Sequence, residues 1–214
     1  MYNYQMAVEI QHIDLDNPHR KQFIHAANIL KSGGVIVYPT DTIYGLACDV
    51  LNKEAVSKIF KIKKVSHHKL LSFIFSDLAD VSQWAHIPNH AFRIMKRTLP
   101  GKFTFILPAS GDVPKSIMGK RRTIGIRVPD CEVAKSLVEE LGRPLLSTSV
   151  PKGNDDYFTD PDEIAEKFKN DIDIILNAGI IPNLPSTVID FTTDPPELIR
   201  EGAGDINIVM VSKN

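Results

Sequence analysis

The most constraining feature of the sequence is a short apolar run that ends in a cluster of polar groups. The run from Val35 to Tyr38 predicts a strand that is buried on both faces. Pro39 ends it, and Thr40 to Gly45 then supply hydroxyl and carboxylate groups before the chain turns at the glycine. Polar groups at the end of a rigid strand are well placed to hold a ligand. An ordinary strand followed by a polar turn is the alternative.

The rest of the chain predicts helices interleaved with strands. Apolar residues at helical spacing indicate helices over residues 17–32, 53–64, 89–98, 131–141 and 160–170, and a short one over 77–84. Apolar runs and alternation indicate further strands over residues 70–75, 102–108, 123–129, 144–150, 172–176, 187–191 and 197–200. We expect Phe92, Ile94 and Met95 to face inward, and residues 152–162 to form a mobile surface loop. This order predicts a single α/β domain over residues 1–214 with a mixed sheet.

The composition narrows the class of protein. The 214 residues are 43% hydrophobic, which is enough to bury a core. The longest apolar runs are far shorter than the roughly 18 residues that a membrane span needs, and the first residues lack the pattern of a secretion signal. The two cysteines, Cys48 and Cys131, are far apart and form no metal-binding motif. We therefore expect a cytoplasmic protein with no membrane partner and no metal site.

The charges are segregated along the chain. Residues 51–130 carry 15 Lys and Arg against 5 Asp and Glu, whereas the other residues carry 10 against 21. Such a basic segment is typical of a surface that attracts phosphates or nucleic acid. Lysines that only coat solvated helix faces are the alternative.

The common catalytic motifs are missing from the sequence. It contains no GxxxxGK[ST], GxGxxG, HExxH or GxSxG pattern. His67 and His68 are adjacent without a third partner, so they are weak candidates for metal ligands. Arg127 lies on a predicted strand, where it can hold a phosphate or carboxylate ligand or pair with a structural acid. The remaining candidates are hydroxyls near strand ends and basic groups, which favour positioning and charge neutralisation over covalent catalysis. They are Thr40, Thr42, Ser147, Thr148, Ser149, Ser186, Thr187, Lys61, Lys63, Arg127 and Arg200.

Several short motifs together resemble a known family. They occur in order between about residues 20 and 206 and comprise residues 33–46, 100–104, 125–129, 147–149, 185–190 and 200–203. In this order they are similar to the motifs of the YrdC/YciO family. The resemblance implies a YrdC/RibB-like α/β fold, with a twisted open mixed sheet, helices and a concave basic cavity. It also implies binding of nucleotide and of double-stranded RNA or tRNA. Well-understood members make L-threonylcarbamoyladenylate from threonine, bicarbonate and ATP for tRNA modification.

The resemblance assigns roles to individual residues. Thr40, Thr42, Tyr44, Ser186 and Thr187 would hold the small substrate, for which L-threonine is the candidate. A second group would hold the nucleotide and its phosphates, namely Lys61, Lys63, Ser72, Thr104, Arg127, Ser147, Thr148, Ser149 and Arg200. ATP would enter as a substrate with Mg²⁺ if the protein is catalytic, and otherwise we expect no cofactor. No catalytic residue is assigned, and we expect a monomer or weak dimer.

The sequence departs from the synthase pattern at two places, and the segments 61–63, 120–125, 146–149 and 200–202 look closer to the YciO branch of the family. Synthases carry Lys-x-Arg after the second helix, but here Lys63 is followed by Val65 at the arginine position. Synthases also carry Ser-x-Asn, and Pro151 replaces that asparagine with a residue that has no N–H donor. Two functions therefore stay open. One is synthesis or hydrolysis of the adenylate, and the other is non-catalytic binding of double-stranded RNA or tRNA, in which Lys120, Arg121 and Arg122 would contact phosphates.

Overall fold

The computed structural model describes residues 8–64, 71–114, 117, 122–153 and 156–210. The helices are α1 Arg20–Lys31, α2 Lys53–Lys63, α3 Asn89–Thr98, α4 Glu132–Leu141, α5 Pro161–Phe168 and α6 Asn207–Met210, with a 3-10 helix at Leu78–Gln83. The first six strands are β1 Glu9–His12, β2 Val35–Tyr38, β3 Gly45–Asp49, β4 Ser72–Ile74, β5 Phe103–Pro108 and β6 Thr123–Arg127. The others are β7 Leu145–Ser149, β8 Pro151–Gly153, β9 Asp156–Tyr157, β10 Ile174–Asn177, β11 Thr187–Asp190 and β12 Glu197–Arg200.

A ten-stranded mixed sheet forms the centre of the fold. Its strand order is β1-β10-β2-β3-β7-β4-β6-β5-β11-β12, while β8 and β9 form a separate hairpin. Strand β2 is parallel to β10 and antiparallel to β3, and β6 is parallel to β4 and antiparallel to β5. The predicted α/β class with a mixed open sheet is therefore confirmed.

One face of the sheet is covered by the larger hydrophobic cluster. Val35, Leu46, Phe73 and Phe105 belong to this cluster, and α2, α3 and α5 pack on it with their apolar sides. Side chains alternate between the faces along a strand, so the neighbours of these residues point to the opposite face. A buried apolar face of this size supplies much of the driving force for folding.

The opposite face is covered only in part. Helices α1 and α4 pack against each other and over β10, β2, β3 and the start of β7, through residues that form a smaller cluster. The sheet residues of that cluster are Ile36, Tyr38, Ala47, Ile74, Leu145, Ile174 and Leu176. Beyond Ile74, the same face carries smaller or polar residues on β4, β5 and β11, such as Ser72, Thr104 and Val188. The uncovered part of this face forms the wall of a cavity.

Several predicted helix boundaries are confirmed, and the capping residues explain why the helices begin and end there. Helix α2 begins after Asn52, whose side chain accepts hydrogen bonds from the N–H groups of Glu54 and Ala55. Helix α4 ends at Gly142, which has a φ of 78° that favours glycine. The prediction that α1 begins at Pro18 was wrong by two residues. The helix begins at Arg20, where the Gln22 side chain accepts from the N–H of His19.

Other elements were not predicted, for identifiable reasons. Strand β3 was interpreted as a turn because Gly45 opens it, yet it pairs with β2 and β7 on its two sides. Strand β1 has no apolar alternation and lies at the edge of the sheet beside β10. The segment 152–162, predicted as a loop, contains most of the β8–β9 hairpin. Phe92 was predicted to face inward but is 45% exposed, because Ala91 takes the buried position.

Among the helices that the structure describes, none is long and apolar enough to cross a bilayer.

The layer formed by α1 and α4 yields a prediction about stability. Leu137 of α4 is fully buried in the smaller cluster, so Leu137→Ala should lower the free energy of unfolding by about 2–5 kcal/mol. Urea denaturation measures this loss. The control, Lys135→Ala on the exposed side of the same helix, should change it by less than about 0.5 kcal/mol. Equal effects of the two variants would contradict the packing described here.

Candidate functional site

A cavity of about 160 Å³ lies on the uncovered part of the sheet face. Its wall consists mainly of strand residues whose neighbours along the strand belong to the larger hydrophobic cluster. The loop after β2 and the end of α2 complete the lining. The residues that line it are Tyr38, Thr40, Ile43, Tyr44, Gly45, Lys63, Leu71, Ser72, Ile74, Thr104, Ile106, Arg127, Ser147, Thr148, Ser149, Ser186, Val188 and Arg200.

Most of the residues predicted for the substrate and the nucleotide meet in this cavity. The strand register explains the convergence, because Ser147 on β7 lies opposite Ser72 on β4, and Ser149 lies opposite Gly45 on β3. The predicted residues in the lining are Thr40, Tyr44, Lys63, Ser72, Thr104, Arg127, Ser147, Thr148, Ser149, Ser186 and Arg200. Their roles toward a ligand remain predictions.

Arg127 anchors the loop that follows β2. Its Nη2 donates to Asp41 Oδ1 at 2.5 Å and to Thr42 Oγ1 at 2.7 Å, with a longer contact to Thr40 Oγ1 at 3.4 Å. The loop is also closed on itself, because Thr40 Oγ1 accepts from the N–H groups of Thr42 and Ile43. The sequence left two roles open for Arg127, binding a ligand or pairing with a structural acid. The structure shows the pairing, with Asp41, and Arg127 also lines the cavity.

One nitrogen of Arg127 is left without an acceptor. Its Nε is buried and has no hydrogen-bond partner within the described part of the chain. A buried unpaired donor on a charged group costs free energy, and its burial also keeps Nε out of contact with a ligand in the cavity.

Arg200 forms the opposite side of the cavity. Its Nε and Nη2 both donate to the carbonyl oxygen of Ser186, at 3.1 and 2.8 Å, and its Nη1 donates to Tyr157 Oη at 3.2 Å. The hydroxyl of Ser186 lies 2.8 Å from that of Thr104. Arg200 therefore ties the β11 side of the cavity to the β8–β9 hairpin.

Lys63 reaches the cavity from the last turn of α2. Its ammonium group donates to Thr148 Oγ1. Lys61, which lies in the same turn, is exposed and is not among the lining residues that the structure describes.

Some of the predicted positions lie outside the described residues. Val65, His67, His68, Lys120 and Arg121 fall in this group. Arg122 is described, is exposed, and precedes β6 with a φ of 52°. Pro151 begins the β8–β9 hairpin two residues after Ser149, so the departure from the synthase pattern lies directly beside the cavity.

Tyr38 was predicted only as a buried strand residue, but it also belongs to the site. Its hydroxyl lies 3.0 Å from Ser147 Oγ, and its ring fills the space beside Gly45, where a Cβ would come within 2.6 Å of it. Burial raises the pKa of Tyr38 to about 12. Its position at the end of a strand, directly before Pro39, was the signal that could have indicated a role in the site.

Three predicted residues have hydroxyls that are already engaged within the protein. The Tyr44 hydroxyl donates to the carbonyl of Gly179 and accepts from the N–H of Ala178, and burial raises the pKa of Tyr44 to about 12. Thr42 contacts Arg127, and Thr187 is fully buried, where it donates to the carbonyl of Gly204. Neither Thr42 nor Thr187 is among the described lining residues.

The charges of the cavity favour an anionic ligand. Among the described residues that line it, Lys63, Arg127 and Arg200 are cationic and none is Asp or Glu. The described part of the chain also contains no group of three or more His, Cys, Asp or Glu side chains that could hold a metal ion. The geometry is suited to binding phosphate or carboxylate groups among hydroxyl donors.

Comparison with known proteins identifies the family. A family model described as "Telomere recombination", which covers Sua5, YciO and YrdC, matches residues 28–202. The chain belongs to the Sua5/YciO/YrdC family. The uncharacterized protein YciO of Escherichia coli is 40% identical over 180 residues, which are 83% of this chain and 87% of YciO. The crystal structure of that YciO superposes with a TM-score of 0.90 over 94% of this chain and 99% of the YciO chain.

Synthases of the same family are also similar. The threonylcarbamoyl-AMP synthase of Coxiella burnetii is 36% identical over 165 residues, which are 77% of this chain and 89% of the synthase. The structure of P. abyssi Sua5 complexed with L-threonine has a TM-score of 0.84 at 30% identity, over 92% of this chain and 58% of the Sua5 chain. The predicted resemblance to the Sua5/YciO/YrdC family is therefore confirmed.

The buried tyrosines yield a prediction about pH. The pKa values of Tyr38 and Tyr44, both about 12 in the folded protein, lie above the value of about 10 expected after unfolding. The stability that these protonated phenols supply is present below pH 10 and is lost as the pH rises toward 12. The free energy of unfolding should therefore fall between pH 9 and 11 by about 1 kcal/mol for each tyrosine.

Urea denaturation at the two pH values, together with tyrosinate absorbance, measures this dependence. Tyr38→Phe should make the decrease smaller, because it removes one of the two groups. An intact fold in which every tyrosine ionises near pH 10 would contradict the burial of these phenols.

Proposed function

We propose that this member of the Sua5/YciO/YrdC family binds an adenine nucleotide and L-threonine and handles L-threonylcarbamoyladenylate, by synthesis or by hydrolysis. The observation that carries this proposal is one cavity with cationic Lys63, Arg127 and Arg200 among hydroxyl groups. Support comes from the threonylcarbamoyl-AMP synthase that shares 36% identity and from the L-threonine complex of Sua5.

The proposed contacts follow from the geometry. Arg200 and Lys63, which are both half-buried, would hold phosphate oxygens, while Ser147, Ser149 and Ser186 would position the nucleotide. Arg127, which lines the same cavity, would supply a further positive charge.

The proposed chemistry relies on positioning. Threonine and bicarbonate give N-carboxythreonine and water, and a carboxylate oxygen of this carbamate attacks the α-phosphorus of ATP while pyrophosphate leaves. The protein would align the two reactants and neutralise the charge that develops on the phosphates. Mg²⁺ enters this scheme as the partner of ATP. Hydrolysis would use the same phosphate contacts with water as the nucleophile.

An assay with purified protein tests the proposal. ATP, L-threonine and bicarbonate should yield pyrophosphate and the adenylate, or added adenylate should be consumed. Arg200→Met should lower kcat/KM in whichever direction is active by about 10- to 100-fold, because it removes charged hydrogen bonds to the phosphates. The matched control, Arg122→Met, removes an exposed arginine outside the described lining and should stay within about twofold. No turnover in either direction would refute the enzymatic proposal.

Non-catalytic binding of double-stranded RNA or tRNA is the second candidate. The basic segment around residues 51–130 and the exposed Arg122 favour it. Neutralisation of Lys120, Arg121 and Arg122 together should weaken RNA binding and reduce its salt dependence, because each phosphate contact releases counterions. Fluorescence titration of a labelled duplex at several salt concentrations measures both effects. Binding that does not vary with salt, or no binding, would exclude this candidate.

A further inference from the structure

The β8–β9 hairpin brings a tyrosine to the cavity. Val150 and Phe158, which flank the hairpin, are buried in the larger hydrophobic cluster, and the N–H of Phe158 donates to the carbonyl of Val150. Side chains alternate along an extended chain, so the next residues inward, Pro151 and Tyr157, point to the other side. These two residues are paired in the hairpin, and Ser149, on the other side of Val150, lines the cavity. Tyr157 therefore lies on the cavity side of the hairpin.

The hydroxyl of Tyr157 contacts Arg200. Its oxygen accepts from Nη1 of the arginine at 3.2 Å, and both side chains are half-buried. Arg200 lines the cavity, although Tyr157 itself is not among the described lining residues. The hairpin follows β7, which lies five places from β12 in the strand order. The contact therefore joins two distant parts of the sheet across the face that carries the cavity.

Two donors at this contact have no acceptor in the described part of the chain. They are the second N–H of Arg200 Nη1 and the phenol O–H of Tyr157. The other nitrogens of Arg200, Nε and Nη2, donate to Ser186. A hydroxyl that accepts from a cation is polarised, so it donates a stronger hydrogen bond through its own proton. The two adjacent donors are therefore suited to the oxygens of a phosphate group.

The hairpin is also held in place by contacts that do not involve the tyrosine hydroxyl. Asn183 donates through its amide nitrogen to Asp156 Oδ1, and the ammonium group of Lys152 donates to Glu163. These contacts join the hairpin to the loop before β11 and to α5. They fix the position of Tyr157 before a ligand binds, which is the preorganisation that a binding site requires.

We propose that Tyr157 is a nucleotide-binding residue, whose hydroxyl donates to a phosphate oxygen beside Arg200. Pro151, which is paired with Tyr157, stands where the synthase pattern has asparagine. The phenol thus returns a polar group to the strand pair from which that amide is missing. This inference rests on the proposed function, since it adds a residue to the phosphate contacts of Arg200.

Calorimetric titration with two separate probes, Mg-ATP and inorganic pyrophosphate, tests the inference. Tyr157→Phe keeps the ring and removes only the hydroxyl. Both affinities should fall about tenfold in this variant, because a hydrogen bond to a charged group is lost. A loss of less than threefold for either probe would overturn the proposal.

A matched control separates the hydroxyl from the anchoring of the hairpin. Asn183 is exposed and lies outside the described lining. Asn183→Ala removes the contact with Asp156 without changing the charge, and both affinities should stay within twofold of wild type. A loss as large as that in Tyr157→Phe would overturn the proposal, because the effect would then come from the position of the hairpin.

A double variant tests whether the hydroxyl and the guanidinium bind the same phosphate. Tyr157→Phe added to Arg200→Met should cause less than threefold further loss, because the arginine that holds the hydroxyl is already gone. A further tenfold loss would overturn the shared contact.

The outcome for the wild-type protein separates this inference from the proposed function. Binding of ATP without turnover in either direction counts against the enzymatic proposal alone, because both probes are measured without any reaction. Wild-type protein that binds neither probe would overturn both.

Discussion

The site depends on one constraint, the unequal covering of the two sheet faces. One face is packed along its length against the large cluster, whereas α1 and α4 cover only the strands around β2 on the other face. Because side chains alternate along each strand, residues such as Ser72 and Thr104 are held against a cavity by their buried neighbours Phe73 and Phe105. The core thereby fixes the positions of the hydroxyl groups, which is the preorganisation that binding and catalysis require.

The sequence predicted the parts of this arrangement that depend on local pattern. The buried strand at residues 35–38, the Asn52 cap and the alternation of Ile124 and Ile126 with Arg127 can all be read from spacing and residue type. Strand β3 could not be predicted, because Gly45 and its small neighbours become a strand only through pairing with β2 and β7. The Arg127–Asp41 pair could not be predicted from the sequence either, because 86 positions separate the two residues along the chain.

The cationic side chains that line the cavity have different partners in the protein. Arg127 is neutralised in large part by Asp41, whereas Arg200 has neutral partners among the described residues. The hydroxyls of Thr42, Tyr44 and Thr187 stabilise the loops around the cavity. Membership of the Sua5/YciO/YrdC family explains the shared framework, while Pro151, two residues after Ser149, has no backbone N–H to donate. Fold and activity therefore need separate tests.

Ligand-induced stabilisation tests the central claim, that the cavity binds an adenine nucleotide, most directly. ATP at 100 times its dissociation constant should stabilise the protein by about 2.7 kcal/mol and raise the melting temperature accordingly. Arg200→Met, which removes one of the three cationic side chains in the described lining of the cavity, should reduce this shift at the same ATP concentration. A melting temperature that ATP does not change in the wild-type protein, or that it raises equally in Arg200→Met, would contradict the assignment of this cavity.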